Sequence, residues 1–191
     1  MKKTIKRKYF PVLIGILVVL VAFGCGKYQE LADADYPDQV IYMPAAGQLY
    51  HLTEPKDTYD VPTPGNPYRF RIDEGTNKVI IPLGVVRGGI ANSGSVSITV
   101  TDRPDTVSTL IDKGQLQAQL VPASAYALPT TVVLADGSDA VSFELTLDLP
   151  FLLSHPGQVF AVGLSISSAE RKTNPDKETT IVVIDTNLLA D

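Results

Sequence analysis

Apolar and polar residues alternate with period two at four places in the chain. Tyr68, Phe70 and Ile72 are separated by Arg69 and Arg71, and Val96, Ile98 and Val100 alternate with Ser95, Ser97 and Thr99. Val141, Phe143, Leu145 and Leu147 alternate with Ser142, Glu144, Thr146 and Asp148. Phe160, Val162, Leu164 and Ile166 alternate with Ala161, Gly163, Ser165 and Ser167. Successive strand side chains point to opposite faces, so each stretch predicts a strand with an apolar face inward and a small or polar face in water. Antiparallel sheets with one wet face carry this pattern. Denser apolar runs at 40–44 (VIYMP), 77–86 (NKVIIPLGVV), 130–135 (TTVVLA) and 179–185 (TTIVVID) predict further strands, candidates for central places in a sheet. Turn signals separate them: DEGTN at 73–77, RGG at 87–89, ADGS at 135–138 and HPG at 155–157. The Asp-Gly pair at 136–137 predicts a hairpin. Only residues 106–119 offer a helix, with Asp105 as its cap, Val107, Leu110 and Ile111 at helical spacing, and Gly114 as its end. Many short strands, one short helix and no βαβ rhythm predict an all-β, Ig-like antiparallel two-sheet β-sandwich. Residues 52–67 (LTEPKDTYDVPTPGNP) hold four prolines and predict a long loop or edge excursion, a natural place for function.

The N-terminus follows a different pattern. Lys2, Lys3, Lys6, Arg7 and Lys8 precede an apolar run of 12 residues at 12–23, and Gly24, Cys25 and Gly26 follow it. A spanning helix needs roughly 20 apolar residues, so this grammar predicts a secretory signal peptide over 1–24. Cys25 is the only cysteine of the chain. The box Ala22, Phe23, Gly24, Cys25 resembles the lipobox of bacterial lipoproteins. That resemblance implies cleavage before Cys25, a diacylglycerol thioether on its sulfur and an acylated new amino terminus. One acyl chain holds a protein only marginally, at about 0.8 kcal/mol per buried methylene, whereas two or three anchor it durably. Gly26 after the cysteine resembles lipoproteins sorted to the outer membrane. The expected destination is the cell surface, with the periplasmic face as the alternative. Residues 25–37 are polar and acidic and read as a tether, leaving 38–191 for a single sandwich domain.

Removing residues 1–24 takes five basic residues and no acid, so 11 cations remain against 21 acids, a net charge of −10. That excludes a nucleic-acid partner and a basic membrane-binding face. With one cysteine, the folded part has no internal disulfide.

Three segments carry a wider resemblance. They are Val121 and Pro122 leading to Tyr126, residues 133–137, and residues 165–169, taken with VIYMPAAG at 40–47 and FAVGLSISSAE at 160–170. Over about residues 38–187 the chain resembles a Bacteroides-type domain-of-unknown-function family, the N-terminal β-sandwich domain of Sus-like glycan-utilisation surface lipoproteins. The resemblance implies an Ig-like sandwich and a role beside glycan-utilisation proteins. It also implies a following module, discoidin-like or barrel-shaped. The sequence reaches Asp191 soon after its last expected strand, so the sandwich alone is expected here.

Catalysis is not expected. The histidines are His51 and His155, and no G-x-S-x-G elbow accompanies them. Two distant histidines with no available thiol do not make a zinc site. DGSD at 136–139 lacks the spaced oxygens and closing glutamate of a calcium loop. Neither metal nor cofactor is expected. Acids at 33, 35, 73 and 74 read as solvated tether and turn residues. Sugar binding commonly uses an aromatic face, and the chain has no tryptophan. Tyr50 and Tyr59, near the proline-rich stretch with Tyr68, are the candidate glycan-binding residues. The alternative places Tyr68 in the core beside Phe70, with Tyr42 and Tyr126 packed inside. The expected function is a non-enzymatic, lipid-anchored accessory to glycan capture that binds glycan or outer-membrane transport proteins. The alternative is a structural adhesin, fimbria-like or assembly subunit engaging proteins through a sheet edge.

Overall fold

The computed structural model describes residues 39–47, 49–52, 54–55, 69–89 and 92–189. The expected signal peptide, Cys25, the tether, Tyr59, Tyr68 and most of the proline-rich stretch lie outside the described residues.

In chain order the strands and α-helices are β1 (Val40–Tyr42), β2 (Leu49–His51), β3 (Glu54–Pro55), β4 (Arg69–Asp73), β5 (Lys78–Gly88), β6 (Val96–Asp102), α1 (Pro104–Asp112), β7 (Gln119–Leu120), β8 (Tyr126–Ala127), β9 (Thr131–Leu134), β10 (Ala140–Asp148), α2 (Leu149–Leu153), β11 (Val159–Ser167), β12 (Lys172–Thr173) and β13 (Thr179–Asp185). They form an all-β sandwich. Among the described residues, one sheet has seven strands in the order β12-β1-β5-β10-β8, with β4 also on β5 and β3 on β4. The other has six in the order β2-β13-β11-β6-β9, with β7 also on β11. Long neighbours pair antiparallel, as expected, but β1–β12, β3–β4, β2–β13 and β7–β11 are short parallel pairs. Parallel partners need a long connection between them, and the chain supplies one in each case.

The period-two pattern decides what lies between the sheets. Register sets Phe143 opposite Leu83, Leu145 opposite Ile81 and Leu147 opposite Val79. All six are buried, with Val96, Ile98 and Val100 of β6, Phe160, Val162, Leu164 and Ile166 of β11, and Val182 and Ile184 of β13, in one core. Burying each such side chain contributes about 1.5–3 kcal/mol, so the alternation drives the fold.

The second sheet departs from the expected wet face. Ala161, Ile181 and Val183 are buried on its outer side with Val107 of α1 and Leu116. The small residues Ala161 and Gly163 let α1 lie close against β11. A Cβ built on Gly163 would meet the Arg103 carbonyl oxygen at 2.6 Å and Val107 Cγ2 at 2.9 Å. Arg103, not Asp105, occupies the N-cap of α1, without a side-chain cap bond. Asp105 instead holds the Arg103 guanidinium through bonds of 3.0 and 2.9 Å. The helix was expected from 106, but Pro104 starts it earlier, where a missing N–H costs nothing.

Four further expectations are corrected. The 130–135 run forms an edge strand, β9, whose Val133 is 56 % exposed, because among the described residues β9 pairs only with β6. The turn at 135–138 is no hairpin, since it carries the chain from β9 in one sheet to β10 in the other. Arg87 and Gly88 continue β5 instead of turning. A second helix, α2, follows β10, its N-cap Asp148 accepting from Phe151 N at 3.0 Å.

Tyr126 ties the sheets together. It is half-buried against the core, and its hydroxyl donates to Asp102 Oδ2 at the end of β6, 2.5 Å away. Burial, then the bond to Asp102 and its charge, push the phenol above its usual value of about 10. Tyr126→Phe is expected to lower stability by about 1 kcal/mol at pH 7, because the bond is partly solvated. A phenol raised in the folded state contributes stability that is fully present below pH ~10 and lost as pH climbs through the folded value. Urea midpoints of the two proteins should therefore converge above pH ~10, and a constant gap from pH 7 to 11 would contradict the tie.

Candidate functional site

A cleft opens on the outer side of the six-stranded sheet, at its β2 end. The local sequence of α1 explains one wall. The helix ends on Gly114 in a left-handed conformation (φ 68°), which a side chain would strain. Gln115 N and Leu116 N both donate back to the Leu110 carbonyl, at 2.9 and 3.2 Å. That closing turn drops Leu116 onto the sheet, buried, and leaves Gln115 and Gln117 exposed. The other wall is β2, which joins β13 in parallel with Leu49 opposite Ile181 and His51 opposite Val183. Leu52 N extends the pairing to the Val183 carbonyl at 3.1 Å.

Between the walls lies a cavity of about 280 Å³. Leu49, Leu116, Val159 and Val183 give it an apolar floor, and His51, Gln115, Gln117 and Asp185 bring polar groups to it. Asp185 Oδ1 accepts from Asn187 N at 2.9 Å, which fixes the carboxylate.

A second cavity, of about 350 Å³, is lined by Gln39, Glu170, Arg171 and Lys172. Arg171 and Glu170 are bonded to a neutral side chain and to backbone. Arg171 donates to Gln39 Oε1 at 3.2 Å and to the Glu170 carbonyl at 2.9 Å, and Glu170 Oε2 accepts from Ser97 N at 2.8 Å. Arg171 and Glu170 are thus held in place by their neighbours.

The two sequence-predicted glycan residues fall differently. Tyr50 lies in β2, in register with Val182, between the cleft residues Leu49 and His51. Tyr59 lies outside the described residues. Of the tyrosines expected inside, Tyr42 and Tyr126 are each half-buried. His51 joins the cleft, whereas His155 packs against both Phe151 and Phe160, at ring distances of 4.7 and 5.6 Å.

Ser154 and His155 are adjacent and share one main-chain acceptor. His155 Nδ1 stands 2.8 Å from the Phe151 carbonyl oxygen, which can only accept, so Nδ1 carries the proton. Ser154 Oγ donates to the same carbonyl at 2.7 Å. Ser154 Oγ also stands 3.0 Å from Nδ1, and with the proton on Nδ1 that nitrogen does not accept from the hydroxyl. Among the described residues no three His, Cys, Asp or Glu side chains come together as a metal-binding group. Asp136 accepts from Gly94 N at 2.6 Å and pins the loop before β6.

This fold and cleft define a β-sandwich module with a small surface site. Residues 37–173 match a family model described as a "-like, N-terminal domain". The chain belongs to that family of N-terminal domains. The expected likeness to Bacteroides domains of unknown function is met. One similar solved structure is a candidate carbohydrate-binding protein from Bacteroides ovatus ATCC 8483, with 14 % identity and a TM-score of 0.53, covering 76 % of this chain and 36 % of that one. A second, of unknown function from Bacteroides ovatus, has 14 % identity and a TM-score of 0.52, covering 78 % and 52 %. A third, a two-domain protein of unknown function from Bacteroides fragilis NCTC 9343, has 10 % identity and a TM-score of 0.51, covering 83 % and 48 %. The chain thus spans between a third and about half of the solved proteins it resembles. No curated protein matches it.

Proposed function

We propose that this protein is a lipid-anchored outer-membrane module, held at the cell surface through Cys25, that takes part in glycan capture without catalysing a reaction. The observation that carries the glycan role is the shared fold with the candidate carbohydrate-binding protein from Bacteroides ovatus. The non-enzymatic reading is supported by the last turn of α2, where the Ser154 hydroxyl and His155 Nδ1 both face the Phe151 carbonyl oxygen. The anchor rests on the lipobox-like sequence ending at Cys25. Partners in this reading are a glycan and proteins of an outer-membrane transport assembly, with Tyr50 and Tyr59 beside the sugar.

A second reading, a structural or adhesive subunit, is favoured by β9, an edge strand with Val133 exposed. Unpaired strand edges are templates for another chain. Labelled palmitate and a glycan array, both applied to the full-length protein, test the proposal. Wild type should take up label and fractionate with the outer membrane, while Cys25→Ala should do neither. Wild type should bind at least one glycan, and Tyr59→Ala should bind it less. No glycan signal, with outer-membrane proteins co-purifying through the β9 edge, would favour the second reading.

A further inference from the structure

We propose that the cleft between β2 and the turn after α1 is a binding site for one neutral pyranose residue. The inference rests on the glycan role proposed above and assigns it a place and a ligand class.

Three features of the cleft lead there. Its volume of about 280 Å³ falls just below that of drug-sized ligand sites, which run from about 300 to 1,000 Å³. That suits a single ring rather than a chain lying at full length. Its floor is aliphatic, and the C–H face of a pyranose is the apolar surface such a floor desolvates without loss. Its polar groups are the kinds that hydroxyls need. Gln115 and Gln117 each bring a donor and an acceptor, Asp185 an acceptor pair with one oxygen already oriented, and His51 a further ring nitrogen. A hydroxyl is both donor and acceptor, so mixed amide and carboxylate groups satisfy adjacent hydroxyls together.

Charge selects the sugar class. The described lining carries the Asp185 carboxylate and neither lysine nor arginine. The chain beyond residue 24 has 21 acids against 11 bases, so an anionic sugar is repelled at contact and at distance. Neutral hexoses or pentoses fit, and uronates do not. The site differs from an aromatic platform, because its described floor contains no aromatic ring.

Isothermal titration of the full-length protein in detergent tests this with neutral gluco-, manno-, galacto- and xylo-oligosaccharides and with oligogalacturonate. At least one neutral series should bind, and oligogalacturonate at least tenfold more weakly. Gln117→Ala and Asp185→Asn should each weaken neutral binding tenfold or more. Gln117 is exposed, so its truncation leaves the fold intact, which a thermal melt verifies. Lys172→Ala, at the other cavity, should leave binding unchanged. Wild-type binding that survives both cleft variants, or is lost in Lys172→Ala, would overturn the cleft while sparing the glycan role. A preference for oligogalacturonate would overturn the ligand class. A wild type that binds no oligosaccharide overturns the cleft and the glycan role together.

Discussion

Gly163→Val should destabilise the protein by about 3 kcal/mol, at the upper end of the range for overpacked sites. The reason is the kind of atom in the way. A Cβ at this position would stand 2.6 Å from the Arg103 carbonyl oxygen, a main-chain atom that cannot rotate aside. The same turn is pinned from the other side, since Arg103 N donates to the Gly163 carbonyl at 2.8 Å. Val107 Cγ2 and Ile181 Cδ1, at 2.9 and 3.1 Å, close the remaining directions. Relief requires α1 to lift from β11, which uncovers Val107, Ala161 and Val183. For a chain of this size a loss of about 3 kcal/mol lowers the melting temperature by roughly 6–12 °C. Because α1 delivers Gln115, Leu116 and Gln117 to the cleft, the variant should also blunt ligand binding at temperatures where it remains folded. Gly163→Ala should show the same effects in smaller measure. A valine variant melting within about 2 °C of wild type would mean that the helix has room to move.

Gly163 also shows what the sequence reveals and what it conceals. Its place in the alternation of 160–166 was legible, because an apolar residue every second position reports one buried face whatever the partner is. The same logic gave the interior faces of β6 and β10. That α1 covers the opposite face was not legible. Alanine and glycine there look like small wet-face residues, and they become buried only because a helix 50–60 residues earlier in the chain returns to them. The central or edge position of a strand is likewise a long-range property, so the apolar β9 and β13 read alike although only β13 lies inside a sheet. The helix α2 did carry a local signal, an aspartate two residues before a proline at 148–150, but five residues are too few for periodicity to appear. The cleft was the least accessible feature. Its residues come from 49–52, 115–117, 159 and 183–185, brought together by a parallel register that no local pattern encodes. Tyr50, named from the sequence, lies between two of those residues in β2.

Arg87→Met is expected to cost about 2–4 kcal/mol, because the guanidinium is the hub of one end of the sandwich. The run at 87–89 reads as a turn, yet Arg87 lies in β5 with only 6 % of its surface exposed. It has no carboxylate partner among the described residues. Instead, Nη1 donates to the Ser93 carbonyl at 2.8 Å, and Nη2 donates to those of Gly94 and Ala135 at 2.8 and 3.3 Å. Those carbonyls belong to the loop before β6 and the crossover after β9, so one side chain of the first sheet fastens two loops of the second. Two effects oppose each other on substitution. Methionine removes a buried charge, and Nε already lacks a partner, so some desolvation cost is relieved. Against that, three carbonyls lose charge-assisted bonds, each among the stronger kind. The loss dominates, but it is tempered because Ser93 and Ala135 are exposed enough for water to replace part of it. Arg87→Lys should recover less than half of the deficit, since an ammonium cannot reach three carbonyls in the plane of a fork. Urea unfolding gives the magnitude, and amide exchange locates it. Protection should fall at 92–95 and 135–138 before it falls in β11 or β13. Uniform loss of protection through both sheets, or a methionine variant as stable as wild type, would show that Arg87 fills space without fastening the loops.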